Sequence, residues 1–220
     1  MPRLLFRREG FVYRNEPLEK YLKDAAAGTP IPGGGSVAAL VAALATTMAS
    51  MPANITIDRE KFKQYDSQLK KILEACEKSR ETVLSLMEED IKAYSRVNDA
   101  YKLPKSTEAE KDKRTEEIQK ATIIAMEVPL KTTMCCLSIL EQTRELVDIV
   151  SPNLISDVGV AGFLADAAFQ CAKLNVEINL ATIKNQSLVE KVQNEISHAE
   201  KKAELFFKEI NGRVQEKIKR

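Results

Sequence analysis

Residues 37–51, VAALVAALATTMASM, are small and apolar on every side of a helix. A segment with no polar face has to be surrounded by other elements, so these residues predict a central helix buried among others. The rest of the chain agrees with that. Long alternating runs are absent, aromatic residues make up 5% of the 220, and Ala, Leu, Glu and Lys dominate, a composition that favours helix over strand. The expected fold class is all-α: a multi-helical bundle with long amphipathic helices around a small-residue central helix.

The stop and start signals divide the chain further. Residues 1–14 read as an N-terminal arm, and residues 15–220 as a single helical domain. Asn15-Glu16-Pro17 opens a short helix that ends near Gly28. Thr29-Pro30-Ile31-Pro32-Gly33-Gly34-Gly35 is non-helical, and Ser36 is the expected cap of the central helix. Asp58 is placed at the cap of a long third helix that Leu103-Pro104 stops. Thr107 with Glu110 makes a capping box for a fourth, which Pro129 is expected to kink or break and which ends near Ser151-Pro152. A fifth helix runs from Asn153–Asp157 to about Lys184, and Ser187 with Glu190 reads as a second capping box opening the terminal helix.

Charge and cysteine usage narrow the function classes. Thirty-three Lys and Arg stand against 32 Asp and Glu, so no basic field exists to condense on nucleic acid or an anionic membrane surface. No uninterrupted apolar run reaches the roughly 18 residues of a membrane span, and the first ten residues lack the apolar stretch of a secretory signal. No nucleic acid, no membrane and a cytoplasmic location are therefore expected. Cys76, Cys135, Cys136 and Cys171 form no C-x-x-C pair and lie in helical apolar segments, which suits reduced core thiols and leaves no zinc site. His198, the only histidine, lies in a charged segment. Acid–base chemistry therefore falls to carboxylates, Tyr, Lys or Cys.

Polar residues on apolar stripes are the informative anomalies, since burying an unpartnered polar group costs a few kcal/mol. On the third helix Asp90 stands seven residues after Val83, three after Met87, four before Tyr94 and seven before Val97, so its carboxylate faces the core. A carboxylate held there is a candidate acid or base, with a structural ion pair as the competing reading. On the fifth helix Asp157, Ala161, Leu164, Ala168, Ala172, Asn175 and Asn179 share one face. Asn175 and Asn179, one turn apart, suit either a clamp on a heteroaromatic ligand edge or a contact between helices. Asp157 and Asn179 are separated by roughly 33 Å of straight helix and cannot share one small-molecule site within one unbroken helix, so they serve separate subsites, separate protomers or different purposes. Gly33-Gly34-Gly35-Ser36 opens a helix and offers backbone N–H groups to an anion, or else serves as a tight interhelical turn.

In order along the chain, Thr29-Pro30-Ile31-Pro32-Gly33-Gly34-Gly35-Ser36, Met51-Pro52-Ala53-Asn54-Ile55-Thr56, Asp90-x-x-x-Tyr94-x-x-Val97, Ala100-Tyr101-Lys102-Leu103-Pro104-Lys105, Asn153-x-x-Ser156-Asp157-x-Gly159-Val160-Ala161 and Leu174-Asn175-Val176-x-Ile178-Asn179-Leu180 resemble the cyclodeaminase/cyclohydrolase family over about residues 16–185. The resemblance implies a helical protein, dimeric or larger. It implies hydrolysis of methenyltetrahydrofolate to 10-formyltetrahydrofolate, or the cyclodeaminase reaction that expels ammonia from formiminotetrahydrofolate. It also implies a folate-type substrate with no cofactor and no metal. The roles that follow from it are Asp90 as base or acid with Tyr94 assisting, and Asp157 with Ser156 as pterin-edge or cation-stabilising groups. Gly33, Gly34, Gly35 and Ser36 become a seat for the aminobenzoyl-glutamate carboxylates, and Asn54, Asn153, Asn175 and Asn179 become orienting groups. A non-catalytic helical interaction protein, self-associating through its long apolar stripes, is the reading from another class.

Overall fold

The computed structural model describes residues 12–219; most of the expected arm, residues 1–11, lies outside them. Among the described residues there are six α-helices and no strand: α1 (Leu18–Ala25), α2 (Gly34–Thr56), α3 (Asp66–Tyr101), α4 (Glu108–Ile149), α5 (Ile155–Leu180) and α6 (Gln186–Ile218). The helix rich in small residues is indeed the centre. Ala38, Ala39, Ala42, Ala45, Ala49 and Ala53 are fully enclosed, and α2 packs against α3, α4 and α5 together. Alanine on three sides lets three helices approach closely, while Leu140, Leu146, Val158 and Phe169 from the neighbours fill the core between them.

Two contacts fix the direction of packing. Asp90 of α3 and Asn175 of α5 lie at the start of α2. At its far end the Ser151 N–H donates to Thr56 Oγ1 at 3.1 Å, just before α5 begins. α3 and α5 therefore run antiparallel to α2. α6 closes the bundle over α4 and α5, where Gly159 and Gly162 leave room for Val214 and Ile210. N-terminal to α1, Tyr13 is buried, stacks edge-on against Tyr21 and donates from its hydroxyl to Asp24 Oδ2 at 2.8 Å.

Several expected boundaries move, each for a local reason. α2 starts at Gly34 with Gly33 as its N-cap, so Ser36 is its third residue and not its cap. Asp58 does not cap α3. It takes a left-handed conformation at φ 62°, tolerated by a short polar side chain, and a 3₁₀ turn over Glu60–Tyr65 leads into α3 at Asp66. Pro129 neither breaks nor ends α4, which continues from Glu108 to Ile149. The Thr107–Glu110 capping box forms as expected, with Glu110 N–H donating to Thr107 Oγ1 at 3.2 Å and Thr107 N–H to Glu110 Oε2 at 3.0 Å. The second box does not form. Asn185 caps α6 instead, accepting from Leu188 N–H at 3.1 Å, and Ser187 falls inside the first turn.

By length and composition three helical segments are apolar enough to cross a membrane, within α2, α4 and residues Pro152–Leu180. Counting unbroken apolar runs missed this, because a hydropathy average tolerates isolated Thr, Ser and Gly. About half of these windows is enclosed by the bundle: 61%, 50% and 44% respectively.

Candidate functional site

Gly33 has no side chain to accept from the first amides of α2, and a residue from another helix takes that place. Asp90 comes off the face of α3 that buries Val83, Leu86 and Met87, and its Oδ2 accepts from the Ser36 N–H at 2.9 Å. The carboxyl group thus caps α2 from across the bundle, at the positive end of the helix. Burial outweighs that donor and raises the Asp90 pKa to about 6, with the Ser36 N–H pulling the other way. From α1 the Tyr21 phenol faces this carboxyl, from its own helix Tyr94, from α4 only Ala125, and from α5 the amides of Asn175 and Asn179. None of these is a cation.

The approach depends on glycine. A Cβ on Gly35 would stand 2.1 Å from Asp90 Oδ1, and one on Gly34 would meet the Asn175 amide at 3.2 Å. Ser36 is fully enclosed. Its hydroxyl lies 3.0 Å from that of buried Tyr21, behind the carboxyl, so the Ser36 side chain does not line the cavity and its amide is already bound to Asp90. A ligand carboxylate at this helix end would meet the charge of Asp90. The Gly34 and Gly35 amides, which have no acceptor among the described residues, suit a neutral carbonyl oxygen better.

These groups share a cavity of about 310 Å³. Gly33, Gly34, Gly35, Asp90, Tyr94, Asn175 and Asn179 line it, with Asn175 against Gly34, and Ile31, Val97, Ala125 and Ile178 make its apolar walls. Tyr94 is 42% exposed one turn from Asp90, open to a ligand. Asn175 Nδ2 donates to Cys171 O at 2.8 Å, and Asn179 Nδ2 donates to Ala125 O at 3.2 Å and Asn175 O at 2.8 Å. Because carbonyl oxygens only accept, both N–H groups of Asn179 Nδ2 are committed to the protein, while Asn175 Nδ2 commits one and keeps one. Each Asn then has its Oδ1 left as an acceptor for a ligand N–H, and Asn175 keeps one amide N–H as a donor, so the pair offers two acceptors and one donor to a heteroaromatic edge.

The other expected residues do not join them. Asn54, Asn153 and Ser156 are exposed and Asp157 is half-buried, all where the end of α2 meets the start of α5, about 30 Å along α2 from Gly34. α5 is unbroken from Ile155 to Leu180, so the separation read from sequence stands. Cys171 is exposed and Cys135 half-buried, which corrects the view of all four thiols as core residues. Burial raises the Cys76 thiol to about 11 and also raises Cys135 and Cys136, making them poor nucleophiles. Among the described residues no three His, Cys, Asp or Glu side chains are grouped to hold a metal ion. A larger groove of about 580 Å³ lies between α5 and α6, but its charged groups pair with one another, Lys173 with both Glu200 and Glu177.

Sequence reasoning overlooked Tyr21 and Ala125. Tyr21 was detectable as the aromatic of a short, charged helix. Ala125 carried its signal four residues on, in Pro129.

The family described as formiminotransferase-cyclodeaminase matches residues 17–198, which include every residue that lines the Asp90 cavity. The chain belongs to the formiminotransferase-cyclodeaminase family. Within it, the chain is 33% identical over 204 residues to the methenyltetrahydrofolate cyclohydrolase of Methylorubrum extorquens, covering 93% of this chain and 98% of that one. It is 32% identical over 180 residues to the formimidoyltransferase-cyclodeaminase of Rattus norvegicus, of which it spans only about a third: 82% of this chain and 33% of that one. The crystal structure of formiminotetrahydrofolate cyclodeaminase from Thermotoga maritima superposes with a TM-score of 0.84 at 28% identity, over 92% of this chain and 97% of that one. The all-α fold and the family resemblance read from the motifs are thereby established. These relatives are named as enzymes, and the Methylorubrum extorquens and Thermotoga maritima proteins are named for tetrahydrofolate derivatives.

Proposed function

We propose that the protein is a methenyltetrahydrofolate cyclohydrolase, converting 5,10-methenyltetrahydrofolate to 10-formyltetrahydrofolate. The observation that carries this reading is Asp90: a carboxyl group with its pKa raised to about 6, tethered by one oxygen at the mouth of α2 and open to a cavity of about 310 Å³. Similarity over nearly the full length of a cyclohydrolase supports it.

The chemistry suits those groups. The bridge carbon between the two substrate nitrogens is already electrophilic, so a positioned water can form the new C–O bond while Asp90, ionised above pH 6, takes its proton. Protonating the departing ring nitrogen then breaks the C–N bond and leaves the formyl group on the other nitrogen. Tyr94, one turn away, assists at the open side. Asn175 and Asn179 accept from N–H groups of the pterin, and the Gly34 and Gly35 amides donate to its carbonyl oxygen. No cofactor or metal is called for by this route, and the enzyme is expected to work in the cytoplasm.

The protein is further proposed to be a homodimer. Val160, Phe163, Leu174 and Ile178 on α5, and Val37, Leu44 and Ile55 on α2, leave large apolar side chains exposed on neighbouring helices. Pairing two copies about a two-fold axis across these antiparallel helices would set the Asn54–Asp157 end of one protomer beside the Asp90 cavity of its partner.

The cyclodeaminase reaction, favoured by the structural likeness to the Thermotoga maritima protein, is the second reading. Offering methenyltetrahydrofolate and formiminotetrahydrofolate separately decides between them. Loss of the methenyl chromophore above the buffer rate is the expected result. Ammonia release from the second substrate, with no acceleration of the first, would replace the reading.

A further inference from the structure

Pro129 lies in the middle of α4, buried, in a helix that runs unbroken through it. Proline has no N–H, so the carbonyl four residues earlier, that of Ala125, loses its helical donor, and the ring pushes that carbonyl off the helix axis. A buried carbonyl without a donor is costly and has to be satisfied elsewhere. Here the donor is the side-chain amide of Asn179 on α5, with Nδ2 3.2 Å from Ala125 O. Both Ala125 and Asn179 line the Asp90 cavity.

We infer that Pro129 is a positioning residue of the binding cavity: by freeing the Ala125 carbonyl it anchors the Asn179 amide, and so turns the Asn179 Oδ1 toward the ligand. The proline is a poor choice for a helix interior on stability grounds alone, and this use accounts for its place. Asn175 completes the arrangement, since its main-chain carbonyl receives the same amide at 2.8 Å. With two acceptors holding Nδ2, the amide plane has one orientation. With the Ala125 carbonyl returned to its helix, one anchor remains and the plane is free to rotate. The inference rests on the proposal that this cavity binds the reduced pterin, and it adds the device that sets the orientation of one binding group.

The test is a double-mutant cycle on Pro129→Ala and Asn179→Ala, with Pro129→Val as a second variant that restores the N–H while keeping more of the ring's volume. Pro129→Ala is expected to raise KM for methenyltetrahydrofolate about fivefold, the worth of one neutral hydrogen bond, with kcat within about twofold. Its midpoint of thermal unfolding should stay level or rise, because a helical hydrogen bond is regained. In the Asn179→Ala background the same substitution should leave KM unchanged. The Asn179 side-chain amide resonances, assigned by their loss in Asn179→Ala, should move in Pro129→Ala and in Pro129→Val. Resonances and KM that both stay in place, or a KM increase of equal size with and without Asn179, would overturn the inference. Wild-type protein without folate turnover, but with the amide resonances moving, would instead overturn the functional reading and leave this geometry standing.

Discussion

Asp90 carries two duties that pull in opposite directions. As the cap of α2 it is favoured ionised, yet burial disfavours the charge and raises its pKa to about 6. A carboxyl whose pKa is higher in the folded than in the unfolded chain stabilises the fold fully below the unfolded value. That contribution is lost as pH rises through about 6. Above pH 6 the ionised group therefore costs on the order of 2–3 kcal/mol. Asp90→Asn keeps an acceptor for the Ser36 N–H and removes the charge, so it should be the more stable protein at pH 8 by an amount of that order. The two should converge below pH 4. Urea unfolding at both pH values measures the difference, and an Asn variant less stable at pH 8 would refute the account. Wild-type turnover should rise with pH to a plateau above about 6, and the Asn variant should lose most of it. Gly35→Ala makes the same argument by geometry. Its Cβ would overlap Asp90 Oδ1 and drive the carboxyl off the Ser36 amide. Turnover should fall about 100-fold or more, the scale of general-base catalysis, while circular dichroism stays helical.

Between elements, glycine again sets the distance. Gly162 of α5 faces Ile210 of α6, and an added Cβ would stand 2.8 Å from Ile210 Cγ2. Gly162→Ala gains helix propensity of about 1 kcal/mol but forces a buried isoleucine to shift, and overpacking of this kind costs about 1–3 kcal/mol. The expected net effect is a modest loss of stability, read as a lower midpoint in urea, with KM unchanged because α6 contributes nothing to the Asp90 cavity. A changed KM would mean that α6 transmits strain along α5 to Asn175. The order of helices and the Thr107–Glu110 box were legible in the sequence because caps and stripes are local patterns. The caps of α2 and α6 were not. Gly33 relies on Asp90, 57 positions on, and Asn185 competes with Ser187 two residues later. Propensity alone ranks such alternatives poorly.

At the scale of the whole molecule, the α2 and α5 helices leave apolar side chains uncovered, Leu44 at 49% and Leu174 at 63% exposure among them. Single exposed leucines are ordinary, but their alignment on two adjacent helices is what supports the proposed homodimer. Leu44→Glu with Leu174→Glu should convert the protein to a monomer in sedimentation experiments. If the second protomer completes the cavity, turnover falls with it. A wild-type chain that sediments as a monomer at micromolar concentration would end the dimer proposal.

The sequence by itself determined the helical class, the central position of α2 and the choice of Asp90, Asn175 and Asn179 as residues out of place. Each is a statement about periodicity along one chain, and periodicity is local. The tertiary structure alone decided which of the out-of-place residues meet. It brought Gly33, Gly34, Gly35, Asp90, Tyr94, Asn175 and Asn179 to one cavity and left Asn54, Asn153, Ser156 and Asp157 at the far end. It also turned the Ser36 side chain inward to Tyr21 and gave the Ala125 carbonyl to Asn179. Those outcomes depend on the relative direction of packed helices and on which unpaired backbone group finds a donor across a gap. A helical repeat says which way a side chain faces, but not what stands opposite it.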